Sequence, residues 1–198
     1  MWWSLLPAVC AAAAWGAIRH HEAALRARVV LGDYGPAPSF ALTDAQGRPA
    51  SSADLQGRIW VADFIFTRCA GQCPMMSGRM QALQEAFVGH PDVQLVSFTV
   101  DPGHDRPDVL AAYAEQYAAR QGRWRFLTGE PAAMERLAHD GFRLAFAAEP
   151  GSVSEPITHS ARLVLVDQAG RIRGYFDTAD PDAQDRLEAA IRQLLPAR

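Results

Sequence analysis

The chain of 198 residues is 49% hydrophobic, with a net charge of −3 and a pI of about 6.0. That suffices for one ordinary domain plus an extension, and it lacks the strongly basic surface of a nucleic-acid binder, so no nucleic-acid partner is expected. All 19 basic residues are arginine, and lysine and asparagine are both missing, which excludes Schiff-base chemistry, a P-loop lysine and an N-glycosylation acceptor.

Residues 1–18 carry no charged side chain and are followed by Arg19, His20 and His21. A segment of this length reaches the lower edge of a bilayer span and exceeds a signal-peptide core of about 7 to 15 residues, so an uncleaved membrane anchor is expected. Trp2 and Trp3 suit a membrane interface, while the Ala-rich middle offers cleavage points that keep a removable signal open. Arg19, Arg26 and Arg28 all follow the segment, which by charge bias alone argues against an N-in orientation. Cys10 reads as apolar filler. Residues 19–37 form a tether whose end, over 32–38, is rich in Gly and Pro; residues 38–198 form the folded domain.

Within that domain, 40–43 predicts a strand, 44–47 a turn and 52–55 a short excursion. The run IWVADFIF over 59–66 has the length and β-formers of a strand buried on both faces of a largely parallel sheet. Asp63 interrupts it and predicts either a paired carboxylate or one near a site, since buried charges are normally paired. Met76, Met80, Leu83, Phe87 and Val88 recur at helical spacing and predict an amphipathic helix over 74–88. A second buried strand is expected over 93–100, a helix from 107 to about 119, a short strand over 124–127 and a helix over 130–138. A strand over 159–166 turns through 167–170 into 172–176 as a hairpin, and a helix over 180–195, capped by Asp180 and Pro181, follows. Strands alternating with helices give a three-layer α/β domain.

The stretch from Phe64 to Met76 carries the chemistry. Its apolar run ends at Cys69 and Cys73, and Pro74 fits the first helical position, pushing Cys73 toward an N-cap role. A strand-to-helix turn presents backbone N–H groups and the positive end of the helix dipole, which favour thiolate over thiol. Two such sulfurs suit Cu(I), Zn(II) or reversible disulfide formation. Against this stands the ordinary reading of unpaired cysteines as inert core residues. Met75 and Met76 also offer thioethers, although methionine more commonly fills cores. Among the histidines, His90, His104 and His139 fall in predicted loops or on helix surfaces. His159 follows a long loop over 147–158 that can bring it over the cysteine turn.

Taken together, Phe66-Thr67-x-Cys69-x-x-x-Cys73-Pro74, then Val100-Asp101-Pro102 with Asp105 and Pro107, then Thr158-His159-Ser160 leading into a hairpin with Asp167 and Gly170, resemble the Sco (SenC) family of copper-binding thioredoxin-fold proteins. The resemblance covers roughly residues 35–195. It implies a thioredoxin-like domain, tethered to the membrane, that binds one copper ion through Cys69, Cys73 and His159, with Asp101 near the site; exposed vicinal thiols and a disulfide option predict an oxidising compartment for it, the bacterial periplasm. It also implies a role in delivering copper to the binuclear site of cytochrome c oxidase subunit II or another copper-requiring protein, or in reducing that site's cysteines. The chain departs from the family at Ala70, commonly proline, and at Gly71, often acidic; neither is a ligand position.

The donor chemistry agrees with that assignment, since two thiolates and an imidazole satisfy three-coordinate Cu(I) and can also hold Cu(II). Without copper the cysteines can close into a redox-active disulfide in an oxidising compartment. The leading expectation is a metallochaperone and not a turnover enzyme; the alternative is a membrane-tethered thiol-disulfide oxidoreductase. Dedicated reductases use C-x-x-C, whereas the extra residue here widens the pair. A thiol peroxidase would use Arg68 and Thr67 but leaves the second cysteine and His159 without a role.

Overall fold

The structure, a computed structural model, describes residues 29–144, 146–148, 157–159 and 161–196. The proposed anchor, Cys10 and most of the tether lie outside the described residues. Among the described residues no helix is long and apolar enough to cross a membrane.

Seven strands form one mixed sheet in the order β2-β1-β5-β4-β3-β8-β9. These are β1 (Ala41–Asp44), β2 (Pro49–Ser51), β3 (Ile59–Ile65), β4 (Val93–Thr99), β5 (Trp124–Thr128), β8 (Arg162–Val166) and β9 (Ile172–Asp177). A separate ribbon pairs β6 (Phe146–Ala148) with β7 (Ile157–His159). The central three, β3, β4 and β5, run parallel, and β3 is flanked on its other side by antiparallel β8. Every residue of β3 and β4 is buried, as expected where both faces of a sheet are covered.

Side chains alternate across the sheet, and the two faces bury different partners. Trp60, Ala62 and Phe64 join Val96, Phe98, Leu127 and Val164 in a core closed by Met134, Leu137 and Phe142. The last three lie in or just after a short helix α3 (Pro131–Arg136) and the π-helical turn Leu137–Gly141 that continues it. The alternate residues Ile59, Val61, Asp63 and Ile65 face the other way, toward α1 (Gln72–Ala86), α2 (Pro107–Gln116) and α4 (Ala183–Leu194). There the Ser77 hydroxyl of α1 meets the Tyr113 hydroxyl of α2 at 2.9 Å, and Tyr113 packs edge-on against Phe126 of β5. The arrangement is the expected sheet with helices on both faces.

Three local expectations change. Helix α1 starts two residues early, at Gln72, with Gly71 as its N-cap; Cys73 is therefore inside the first turn and not the cap. Proline is tolerated throughout a first turn because N–H groups there have no intrahelical acceptor, so Pro74 does not mark the boundary. The strand expected over 159–166 is two elements, since His159 ends β7 and β8 begins at Arg162. The Gly/Pro-rich stretch from Gly32 to Ala37 runs along β9. Gly32 and Tyr34 donate to the Arg173 and Ile172 carbonyls at 2.9 and 3.0 Å, and Arg171 grips Asp33 with both Nε and Nη2. An edge strand is covered in this way.

Candidate metal centre

The parallel pairing of β3 with β4 brings two loops side by side at the carboxyl ends of both strands, as the register continues to Ile65 opposite Thr99. The loop after β3 carries Thr67, Arg68 and Cys69; the loop after β4 carries Asp101, His104 and Asp105. Ile65 accepts a main-chain hydrogen bond from Val100 at 2.9 Å, and Phe66 accepts one from Cys69 at 3.2 Å.

Cys69 is half-buried and Cys73 is fully buried; neither is joined in a disulfide. Cys73 shares the buried face of α1 with Met76, Ser77, Met80, Leu83 and Gln84, a helical spacing that turns its sulfur toward the sheet. The two cysteines flank one turn, Cys69 in the loop after β3 and Cys73 in the first turn of α1. Burial pushes the Cys73 thiol well above its ordinary range, the neighbouring Cys69 and Asp63 push the same way, and a main-chain hydrogen bond from Phe66 opposes them only in part. The thiolate expected at Cys73 from the helix dipole is thus overturned, because desolvation of a buried anion outweighs a terminal dipole. Paired sulfurs, one reachable from solvent and one enclosed, fit a soft monovalent metal that displaces the protons on binding.

Asp63 lies on the same face of β3 as this pair. It is 0% exposed, and neither carboxyl oxygen has a hydrogen-bond partner of normal geometry among the described residues. Burial pushes it up to about 7, and the Ser97 hydroxyl across the ladder offsets only part of that. The paired carboxylate expected at this position is not found. An acid displaced toward neutrality, beside Cys73, is the arrangement instead.

Asp101 stands beside the turn and joins Arg68 in an ion pair at 2.5 Å. His159 ends β7 opposite Phe146, and its side chain lies outside the described residues. Met76 is fully buried in the core, whereas Met75 is 44% exposed beside Pro74.

Sequence reasoning missed Thr67, Thr99, His104 and Asp105 as a unit. Asp105 is 0% exposed. One carboxylate oxygen accepts from the Thr67 hydroxyl at 2.6 Å and His104 Nδ1 at 3.0 Å; the other accepts from the Thr99 hydroxyl at 2.5 Å and the Thr67 main-chain N–H at 3.1 Å. The available signal was a pair of threonines at or just past the ends of two neighbouring strands, followed by an aspartate that could serve both.

A family model described as SCO1/SenC matches residues 33–196. The SCO1 protein homolog of Bacillus subtilis (strain 168) is 33% identical over 155 residues, 77% of this chain and 79% of that protein. Among solved structures, BsSco, described as a member of the Sco family of cytochrome c oxidase assembly proteins with a disulfide switch, superposes with a TM-score of 0.72 at 27% identity. The match covers 84% of this chain and 98% of BsSco. Bradyrhizobium japonicum ScoI with copper bound shares the fold at a TM-score of 0.68 and 21% identity, over 81% of this chain and 100% of that one.

Proposed function

The chain belongs to the SCO1/SenC family, and from that premise we propose that it is a copper metallochaperone whose cargo is held by Cys69, Cys73 and His159. Its recipient is the binuclear copper site of cytochrome c oxidase subunit II or another copper-requiring protein. Residues 1–18 anchor it, and residues 38–198 form its copper-binding domain in the periplasm. The observation that carries the reading is the pair of cysteines at one strand-to-helix turn, neither joined in a disulfide, one accessible and one enclosed. Such a pair gives Cu(I) the two soft donors it prefers, and an imidazole adds the nitrogen donor that Cu(II) prefers. Asp101, engaged with Arg68, adjusts the charge around the site without ligating.

Metal analysis of reduced, anaerobic protein tests this. Wild type is expected to retain one copper per chain and a Cys69→Ser, Cys73→Ser double variant none; stoichiometric copper on the double variant ends the reading.

A second reading, thiol-disulfide exchange, draws on the same two thiols and on the disulfide switch described for BsSco. His159 separates the two. Exchange needs an attacking and a resolving thiol, both present at the turn, so an imidazole is dispensable to it. His159→Ala is therefore expected to keep most Cu(I) affinity and disulfide reduction while losing the thiolate-to-Cu(II) charge-transfer absorption and most copper delivery. Normal delivery with collapsed reduction would install the oxidoreductase in its place.

A further inference from the structure

Asp101, His104 and Asp105 gather ligand-type atoms within 4.8 Å of one another, yet these atoms are already spent on the protein itself. Asp101 is held by Arg68, and each oxygen of Asp105 takes two donors. Where the donors come from is informative. Two of the four belong to Thr67, two residues before Cys69, and a third belongs to Thr99 at the end of the neighbouring strand. The Thr99 hydroxyl also accepts from the Asp101 main-chain N–H at 2.9 Å. A buried carboxylate thus ties the cysteine loop to the end of β4.

We propose that Asp105, acting through Thr67, is the positioning residue of the cysteine pair, holding Cys69 at the separation from Cys73 that suits a dithiol or a bridging metal and opposing closure to a disulfide. The mechanical argument is short. Cys73 is embedded in the first turn of α1 and is fully buried, so it does not travel. A disulfide brings the sulfurs to about 2.05 Å, far inside the approach of two unbonded sulfurs, and restricts the Cβ positions on both sides. Cys69 must therefore make the approach. Its loop is pinned on the N-terminal side at Thr67 by two hydrogen bonds to an immobile acceptor, and at its own N–H by Phe66. Moving Cys69 strains or breaks the Thr67 bonds, and a buried donor or acceptor left unpaired costs about 1–3 kcal/mol. Oxidation bears that cost; a metal held between two sulfurs that stay unbonded does not demand the same approach.

This deepens the copper reading, on which its relevance to delivery rests, but it is measured without metal. The reaction is exchange with a small-molecule disulfide. Cys69 and Cys73 thiols give up two protons and two electrons and form one S–S bond, while oxidised glutathione takes both and leaves as two reduced molecules. Asp105→Ala leaves four donors without their acceptor and endangers folding, so Thr67 is varied in its place. Thr67→Val keeps the shape and removes the hydroxyl that donates to Asp105; Thr67→Ser keeps the hydroxyl and removes the methyl. Both are made in the full-length chain carrying Cys10→Ala, so that only the site pair titrates.

Equilibration in glutathione buffers, read by thiol alkylation, is expected to show Thr67→Val shifted toward the disulfide by about tenfold, equivalent to about 30 mV, with Thr67→Ser within about threefold of wild type. Asp105→Asn, which loses acceptor capacity on one side of the carboxylate, is expected to shift the same way as Thr67→Val. Equal shifts for valine and serine would assign the effect to packing and overturn the proposal, as would no shift or one toward the dithiol. Copper retention, assayed separately on the same samples, reports on the chaperone reading alone.

Discussion

Two aspartates near the cysteine turn, both 0% exposed, meet opposite fates. Asp105, in the loop after β4, has four hydrogen bonds from three residues. Asp63, within β3 and under α1, has none of normal geometry, and burial pushes it up to about 7. Burial removes water from both. What differs is the replacement: the loop ends offer hydroxyls and free main-chain N–H groups, whereas a strand's own N–H groups are used by the sheet ladder. The strand interior therefore yields a carboxyl that titrates near neutrality, and the strand end yields a structural anchor.

The largest expected effect breaks the comparison on the Asp63 side. In the unfolded chain this carboxyl titrates near 3.8, in the folded chain near 7. Between those values the folded state holds a proton that the unfolded state has released, so stability falls as pH rises across the window and levels off above it. The loss is on the order of 4 kcal/mol. Cys73 and Ser97 face this group; Cys73 is displaced upward and acts only in the alkaline range. Asp44 acts at the acid end: despite its burial, hydrogen bonds from Arg48 and Gln46 hold it below its usual range, so its contribution is lost only as pH falls through the low carboxylate range. Urea unfolding of the metal-free protein at pH 5 and pH 8 reads about 2.5 kcal/mol of that loss, and Asp63→Asn is expected to flatten it. A variant profile parallel to wild type would mean that the proton is not on Asp63.

The next effect breaks the Asp105 side. Asp105→Ala leaves the Thr67 N–H and the Thr67 and Thr99 hydroxyls without their acceptor, which is expected to cost about 3 kcal/mol in urea unfolding at neutral pH. Asp63→Asn under the same conditions should stabilise or leave the domain unchanged. Destabilisation by both to a similar degree would erase the distinction drawn between the two carboxyls.

The legibility of these regions in the sequence follows the same division. The apolar run before Cys69 and the helical spacing from Met76 to Phe87 announce β3 and α1, because burial on both faces and a 3.6-residue period are written in the side chains themselves. The start of α1 is not so written: Gly71 caps it without a side-chain hydrogen bond, and Pro74 is compatible with several first-turn positions. Asp63 was visible as an interruption, but its missing partner depends on what lies opposite in β4 and α1. Asp105 was visible only as part of a resemblance. Its function depends on Thr67 and Thr99, which lie 38 and 6 residues away and which the parallel register brings together. The short strands β2, β6 and β7 span three residues each, too few for a period to declare itself.

The smallest expected effect sharpens the comparison with a charged contact that is not buried. Arg68 and Asp101 bridge the same two loops as Asp105 and Thr67, but Arg68 is 52% and Asp101 17% exposed, so the pair reaches solvent through the arginine. An ion pair of this kind gains modestly from Coulomb attraction, loses part of that in ordering a long side chain, and is screened by salt. Arg68→Gln is therefore expected to move the urea midpoint slightly at low ionic strength and not measurably at about 0.5 M NaCl, where the Debye length has shrunk to a few ångströms. The buried Asp105 contacts, shielded from ions, should keep their full effect at both salt concentrations. Asp101→Ala extends the test to the site: Cu(I) retention is expected to persist with the fold intact, since the carboxylate is engaged with Arg68 and hard oxygen is a poor match for Cu(I). Complete loss of Cu(I) in that variant would make Asp101 a ligand, and a salt-independent penalty in Arg68→Gln would place the ion pair with the buried anchor instead of at the rim.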